Sequence, residues 1–187
     1  VLQLLEEYEK AKSKEQARDE FLPFVKSQWA AFIHGRHHEI MAEAFERVAR
    51  GDLKRLIINM PPRHTKSEFA SYLFPAWFLG RYPQKKIIQT AHTAELSVGF
   101  GRKVRNLIQS EDFKNIFPDV TLSADSKAAG RWSTNKGGEY FAIGVGGAVT
   151  GKGADVLVID DPHSEQEATI GDYNPEVYDK VYEWYTS

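Results

Sequence analysis

Apolar residues recur along this chain at two spacings, and the points where one gives way to the other divide it into elements. Residues 1–31 are charged and helix-prone, with short apolar faces from Leu2, Leu5 and Tyr8 and then from Phe21, Phe24 and Trp29. They predict a small helical appendage over 1–33. Ile40, Met41, Ala44, Phe45 and Val48 fall at helical spacing, and Gly51 supplies a stop because glycine enters the left-handed conformation freely. "LKRLIINM" is a continuous apolar run that predicts a buried strand ending at Met60. A helix is expected from about Lys66 to Leu79, with Phe69, Tyr72, Leu73 and Ala76 on one face and Gly80 at its end.

"KKIIQTAH" reads as the next strand, after which Thr93 can cap a helix carrying Leu96, Phe100, Val104, Leu107 and Ile108. This β-α-β-α alternation predicts an α/β fold with a mostly parallel central sheet and helices on both faces. Residues 118–138 are polar and rich in Ser, Asp, Lys and Gly, an expected excursion from the sheet. "YFAIGVGG" predicts a strand, and "GADVLVIDDP" predicts a buried one that ends in two aspartates. Asn174 followed by Pro175 opens a last helix bearing Val177, Tyr178, Val181, Tyr182 and Tyr185.

Composition narrows the function classes. At 187 residues and 42% hydrophobic, the chain can bury one core. A net charge of -2 excludes a global basic field, so any contact with nucleic acid must be local. The absence of cysteine excludes disulfides and thiolate metal sites and suits a reducing compartment. No apolar run approaches the ~20 residues of a membrane span, and the first twenty residues are too acidic for a signal peptide. The expectation is a cytoplasmic protein without a membrane partner.

The candidate chemistry lies in "INMPPRHTKSEF", residues 58–69. A phosphate-binding loop, G-x-x-x-x-G-K-[ST], wraps backbone amides round the phosphates, places a lysine on them and gives Mg²⁺ a hydroxyl. Lys66 and Ser67 match that pattern, but Met60 and Thr65 occupy the glycine positions. Pro61 and Pro62 fix φ at the strand exit, and the amides from Arg63 onward stay free to face an anion at the positive end of the following helix. Arg63 adds a planar cation. The alternative is a plain strand-to-helix turn with solvated Arg63 and Lys66. The second half of the site is "VLVIDDP", whose strand tip presents Asp160 and Asp161 where open α/β sheets bind ligands. Asp160 is the natural partner of a Mg²⁺ held by Ser67, and Asp161 can position or deprotonate a water; the competing role for the pair is to cap the following turn. The intervening strand-helix unit implies an additional strand between the two motifs, as in ring and helicase-type motors.

"RLIINMPPRHTKSEFAS", "IIQTAHTAELS", "GRWSTNKGGEYFAIGVGGAVTGKGADVLVIDDP" and "VYEWYTS" together resemble the large terminase subunits of tailed bacteriophages, from about His34 to the end. The resemblance implies a P-loop NTPase of the additional-strand, RecA-like type over 34–187, ending before a coupling motif and a nuclease domain. It implies a Mg-dependent ATPase that drives double-stranded DNA into procapsids, with no nuclease activity in this fragment, in the cytoplasm of a bacterial host. The implied cofactors are ATP and Mg²⁺; the implied partners are DNA, a portal protein, a small terminase subunit and further copies in a ring, the isolated domain being a monomer. The variant Walker A residues would be Pro62, Arg63, His64, Thr65, Lys66 and Ser67, with Lys66, Arg63 and Asp161 catalytic and Ser67 and Asp160 on the metal. Thr65 departs from the family glycine, and Asp161 from the usual catalytic glutamate, for which Glu165 is a possible substitute.

An arginine finger is sought among Lys152, Arg102, Arg105 and Arg131, each of which has a solvated surface charge as its alternative. Thr150 and Gly151 offer a nucleotide-sensing turn or a plain hairpin loop. "FIHGRHHEIM" can lie against adenine, as the resemblance implies, while Trp29 and Phe32 can equally be core; His34, His37 and His38 lack the carboxylate-histidine spacing of a zinc site. "GRKVRN" can touch DNA or be solvated. Two other functions fit: a superfamily 2 helicase or translocase ATPase outside packaging, and a nucleotide-binding module that does not hydrolyse.

Overall fold

The computed structural model describes residues 2–126, 128–149, 151–171 and 174–186. Two helices, α1 (Leu2–Asp19) and α2 (Phe21–Gln28), open the chain, and α3 (Arg36–Arg50) follows. Gly51 ends α3 at φ 82, the left-handed stop expected there. A helix then runs from Lys66 to Arg81, with a π-helical stretch, Glu68–Leu73, before α4 (Phe74–Arg81). Pro75 cannot donate to the carbonyl of Ser71 and would crowd it, and the widened turn just before it relieves that clash.

Strand β1 (Lys86–Ala91), α5 (Ala94–Gln109) and the short α6 (Glu111–Ile116) come next. Thr93 caps α5 through Oγ1, which accepts from the Leu96 amide at 3.3 Å. β2 (Arg131–Ser133), β3 (Glu139–Gly144), β4 (Val156–Ile159), α7 (Glu165–Gly171) and α8 (Glu176–Thr186) complete the order. The result is a mixed α/β fold around a four-stranded, mostly parallel sheet in the order β2-β3-β1-β4. β1 pairs in parallel with both β3 and β4, and β2 runs antiparallel to β3.

Two expectations fail. Residues 53–60 form no strand: Leu56, Ile58 and Met60 are half-buried while Ile57 is 85% exposed, so one side of the run packs on the core without a ladder partner. Among the described residues no additional strand separates the two motifs in the sheet either, because β1 lies directly beside β4 and 53–60 stays outside the sheet. β4 is therefore an edge strand rather than a buried one, with Leu157 and Ile159 exposed.

Aromatic rings dominate the core. Phe21 meets Phe45, Phe69 and Phe74 edge-on at centroid distances of 5.6, 5.5 and 5.8 Å, an arrangement favoured by ring quadrupoles. Part of the expected appendage is thus core, since Phe21, Phe24 and Val25 of α2 are fully buried with α3 and α4. The polar excursion is anchored as well: Trp132 stacks on Tyr140 at 4.8 Å and donates from Nε1 to the Gly101 carbonyl at 3.2 Å. These contacts pack α2 and α3 against the helix that begins at Lys66 and fasten β2 to β3 and α5. Among the described residues no helix is long and apolar enough to cross a membrane.

Candidate functional site

The loop before Lys66 takes the shape that glycines usually permit. Arg63 and Thr65 have φ values of 63 and 64°, in the left-handed region. That conformation costs an L-residue roughly 1–2 kcal/mol and is rarest for β-branched side chains such as threonine. Local bonds offset the strain. Thr65 Oγ1 donates to the His64 carbonyl at 2.6 Å and lies 2.8 Å from His38 Nε2. His64 Nδ1 donates to the Pro62 carbonyl at 2.9 Å, and the Thr65 carbonyl accepts the Phe69 amide at 3.0 Å as the helix starts.

The carboxylates arrive from the tip of β4. Asp160 stays in register through its amide, which donates to the Thr90 carbonyl at 2.9 Å, and its residue is 6% exposed. Its Oδ2 accepts from Ser71 Oγ at 2.8 Å, and Ser71 Oγ accepts from Gln89 Nε2 at 3.1 Å. Asp161 turns outward at φ 43, with a side chain 62% exposed. Its carbonyl receives both the amide (3.2 Å) and Nδ1 (3.1 Å) of His92, at the end of β1. Lys66 Nζ reaches into this pair, 2.5 Å from Asp161 Oδ1 and 3.9 Å from Asp160 Oδ1. Loop and strand tip, separated by about a hundred residues of chain, therefore form one constellation.

Other predicted residues divide. Ser67, next to Lys66 in the helix, is half-buried, and Arg63 is exposed; neither side chain has a hydrogen bond or ion pair among the described residues. Lys152 sits over the Phe141 ring at 3.6 Å, ahead of β4 and so at the opposite end of that strand from Asp160. Arg131 is on β2, separated from β4 by two intervening strands, roughly 14 Å at the usual strand spacing. Arg102 and Arg105 belong to the middle of α5, the first exposed and the second half-buried. Lys103, in the same run, pairs with Glu68 at 3.0 Å. Among the described residues, no contact links Lys152, Arg102, Arg105 or Arg131 to Lys66, Asp160 or Asp161. Gly151 has φ 78 in a turn closed by the Lys152 amide on the Val149 carbonyl, while Thr150 lies outside the described residues. Glu165 is exposed on α7.

The histidines gather beside the loop. His37 lies 3.8 Å from His38 and 6.1 Å from His64, centroid to centroid, and Phe32 packs on His38 at 4.7 Å. Burial, with His37 and His34 adding like charge, lowers the pKa of His38 to about 4. No three His, Asp or Glu side chains among the described residues converge as a metal site of their own. His38, Ser71, Gln89 and His92 were not singled out as supports of this site from the sequence. One signal was present: Ser71 lies one helical turn beyond Ser67, on the side that faces the aspartates.

The donor chemistry here is of the kind a hard divalent cation uses. Asp160 Oδ1 and the Ser67 hydroxyl are oxygen donors, and Mg²⁺ commonly uses one or two protein oxygens, completing its shell with water and phosphate. No family model matches the chain, and neither the curated proteins nor the solved structures contain a match.

Proposed function

We propose that this chain is a P-loop ATPase domain of the RecA-like type, and that it works as the motor domain of a large terminase, hydrolysing ATP to move double-stranded DNA into a procapsid. One observation carries the ATPase reading: Lys66 opens a helix behind a doubly left-handed loop and reaches both carboxylates at the tip of a neighbouring parallel strand. A solvated turn gains nothing from strain at two non-glycine residues, whereas strain of this kind clusters at ligand clamps.

In this reading the amides of His64 to Ser67, the helix dipole and Lys66 receive the β- and γ-phosphates, and Arg63 is free to meet γ-phosphate charge. Lys66 exchanges its bond to Asp161 for phosphate oxygens, which releases Asp161 to orient the attacking water. Ser67 and Asp160 would hold Mg²⁺, which when bound neutralises phosphate charge as the bond to the leaving group breaks. Ser71 keeps Asp160 aimed. The packaging role, with a portal, a small subunit and a ring of copies as partners, rests on the sequence resemblance, as does a finger supplied by a neighbouring copy.

Phosphate release by the parent chain and by Lys66→Ala tests the enzyme reading. Loss of on the order of 10²-fold or more is expected, because catalysis of this kind is electrostatic and positional. Equal turnover would sink it. DNA-stimulated turnover that requires the portal would support packaging over a helicase.

A further inference from the structure

We propose that His38, as the neutral Nε2–H tautomer, is a positioning residue that locks the glycine-free loop in its anion-binding shape by donating a hydrogen bond to Thr65. The geometry allows a single arrangement of protons. The Gly35 amide can only donate, so His38 Nδ1, 3.0 Å away, must accept. The ring proton is then on Nε2, which donates to Thr65 Oγ1 at 2.8 Å, and the Thr65 hydroxyl passes its own proton to the His64 carbonyl at 2.6 Å.

This chain of three bonds ties the N-terminus of α3 to the residue that stands at the glycine position of the loop. The ring cannot swing away. It is 3% exposed and wedged between Phe32 at 4.7 Å and Phe69 at 5.0 Å, with the His37 ring tilted against it at 3.8 Å. Its depressed pKa agrees with a ring that stays neutral near pH 7. Glycine would hold φ 64 unaided, while threonine needs an external bond. His38 thus does in this loop what a glycine does elsewhere, and a phosphate group is the ligand that benefits, because relaxing Thr65 would turn the His64–Lys66 peptides away from it.

The binding consequence rests on the proposed phosphate site; the proton arrangement does not. The test is a thermodynamic cycle on Mg-ADP affinity, using His38→Ala, Thr65→Gly and the double variant. Freeing a left-handed threonine should weaken binding about tenfold in His38→Ala, and by less than about twofold when the same change is made in the Thr65→Gly background. Equal losses in both backgrounds, or no loss in either, would overturn the proposal. ¹⁵N NMR of the His38 ring in the parent chain supplies an independent arm. An unprotonated Nδ1 and a protonated Nε2 at pH 7 are expected, and a proton on Nδ1 overturns the clamp whether or not nucleotide binds. Failure of the parent to bind Mg-ADP, with the tautomer as stated, would remove the phosphate reading alone.

Discussion

Replacing Ser71 by alanine removes one oxygen from the buried contact that aims Asp160. Ser71 Oγ donates to Asp160 Oδ2 at 2.8 Å and accepts from Gln89 Nε2 at 3.1 Å, and all three residues are buried. A hydrogen bond to a charged acceptor contributes about 1.5–3 kcal/mol. Gln89 Nε2 would keep only the Thr90 carbonyl at 3.4 Å, and stranding that amide adds about 1 kcal/mol. The volume lost is one hydroxyl, so cavity terms are small. The sum, roughly 2–4 kcal/mol, corresponds to a fall in Tm of about 5–15 °C for a chain of this size. Urea denaturation at pH 7 reads it directly. A cycle with Asp160→Asn should show non-additivity of about 1.5 kcal/mol. A loss under about 0.5 kcal/mol, or strict additivity, would refute the claim that Ser71 supports this carboxylate.

His38 is held neutral with a pKa near 4, against 6.5 when unfolded, so the unfolded chain binds the extra proton between those values. Its contribution is complete above about pH 6.5 and is lost as pH falls toward 4, by up to about 3 kcal/mol. Urea midpoints at pH 7.5 and 4.5 should therefore differ more in the parent than in His38→Phe, and equal differences would count against it. Gly80→Ala would place a Cβ 2.5 Å from the Phe117 ring, an overlap expected to cost about 1–3 kcal/mol in thermal unfolding, with an unchanged Tm as the adverse result. Tyr140 is fully buried, its hydroxyl has no partner among the described residues, and burial pushes its pKa far up. Tyr140→Phe should leave stability equal or raised by about 1 kcal/mol, and a clear loss would reveal a bond to that hydroxyl.

The elements with strong local signals were legible in the sequence. Thr93 as a cap, Gly51 as a stop, the strands at 86–91, 139–144 and 156–159 and the paired aspartates all lie where pattern and cap chemistry put them. The run at 53–60 fails for a reason periodicity cannot sense: its apolar residues suit a strand, but a strand needs a partner and none pairs with it. The same gap turns β4 into an edge. Lys66 and the aspartates were readable as a pair because the chemistry names them. Their supports were not, since His38 reaches Thr65 across 27 positions and Ser71 reaches Asp160 across 89, and such contacts are products of tertiary packing. The glycine-free loop did carry a hint: a threonine forced to positive φ implies a clamp somewhere.

In the proposed site, residues 63–67 cradle nucleotide phosphates opposite Asp160. Amide NMR during titration with Mg²⁺ and a non-hydrolysable ATP analogue reads that cradle residue by residue. Saturable shifts are expected at His64, Thr65, Lys66 and Ser67 together with Asp160 and Asp161, abolished in Lys66→Ala. Shifts confined to another surface, or none at concentrations up to about 1 mM, where a functional ATPase would already bind, would contradict it.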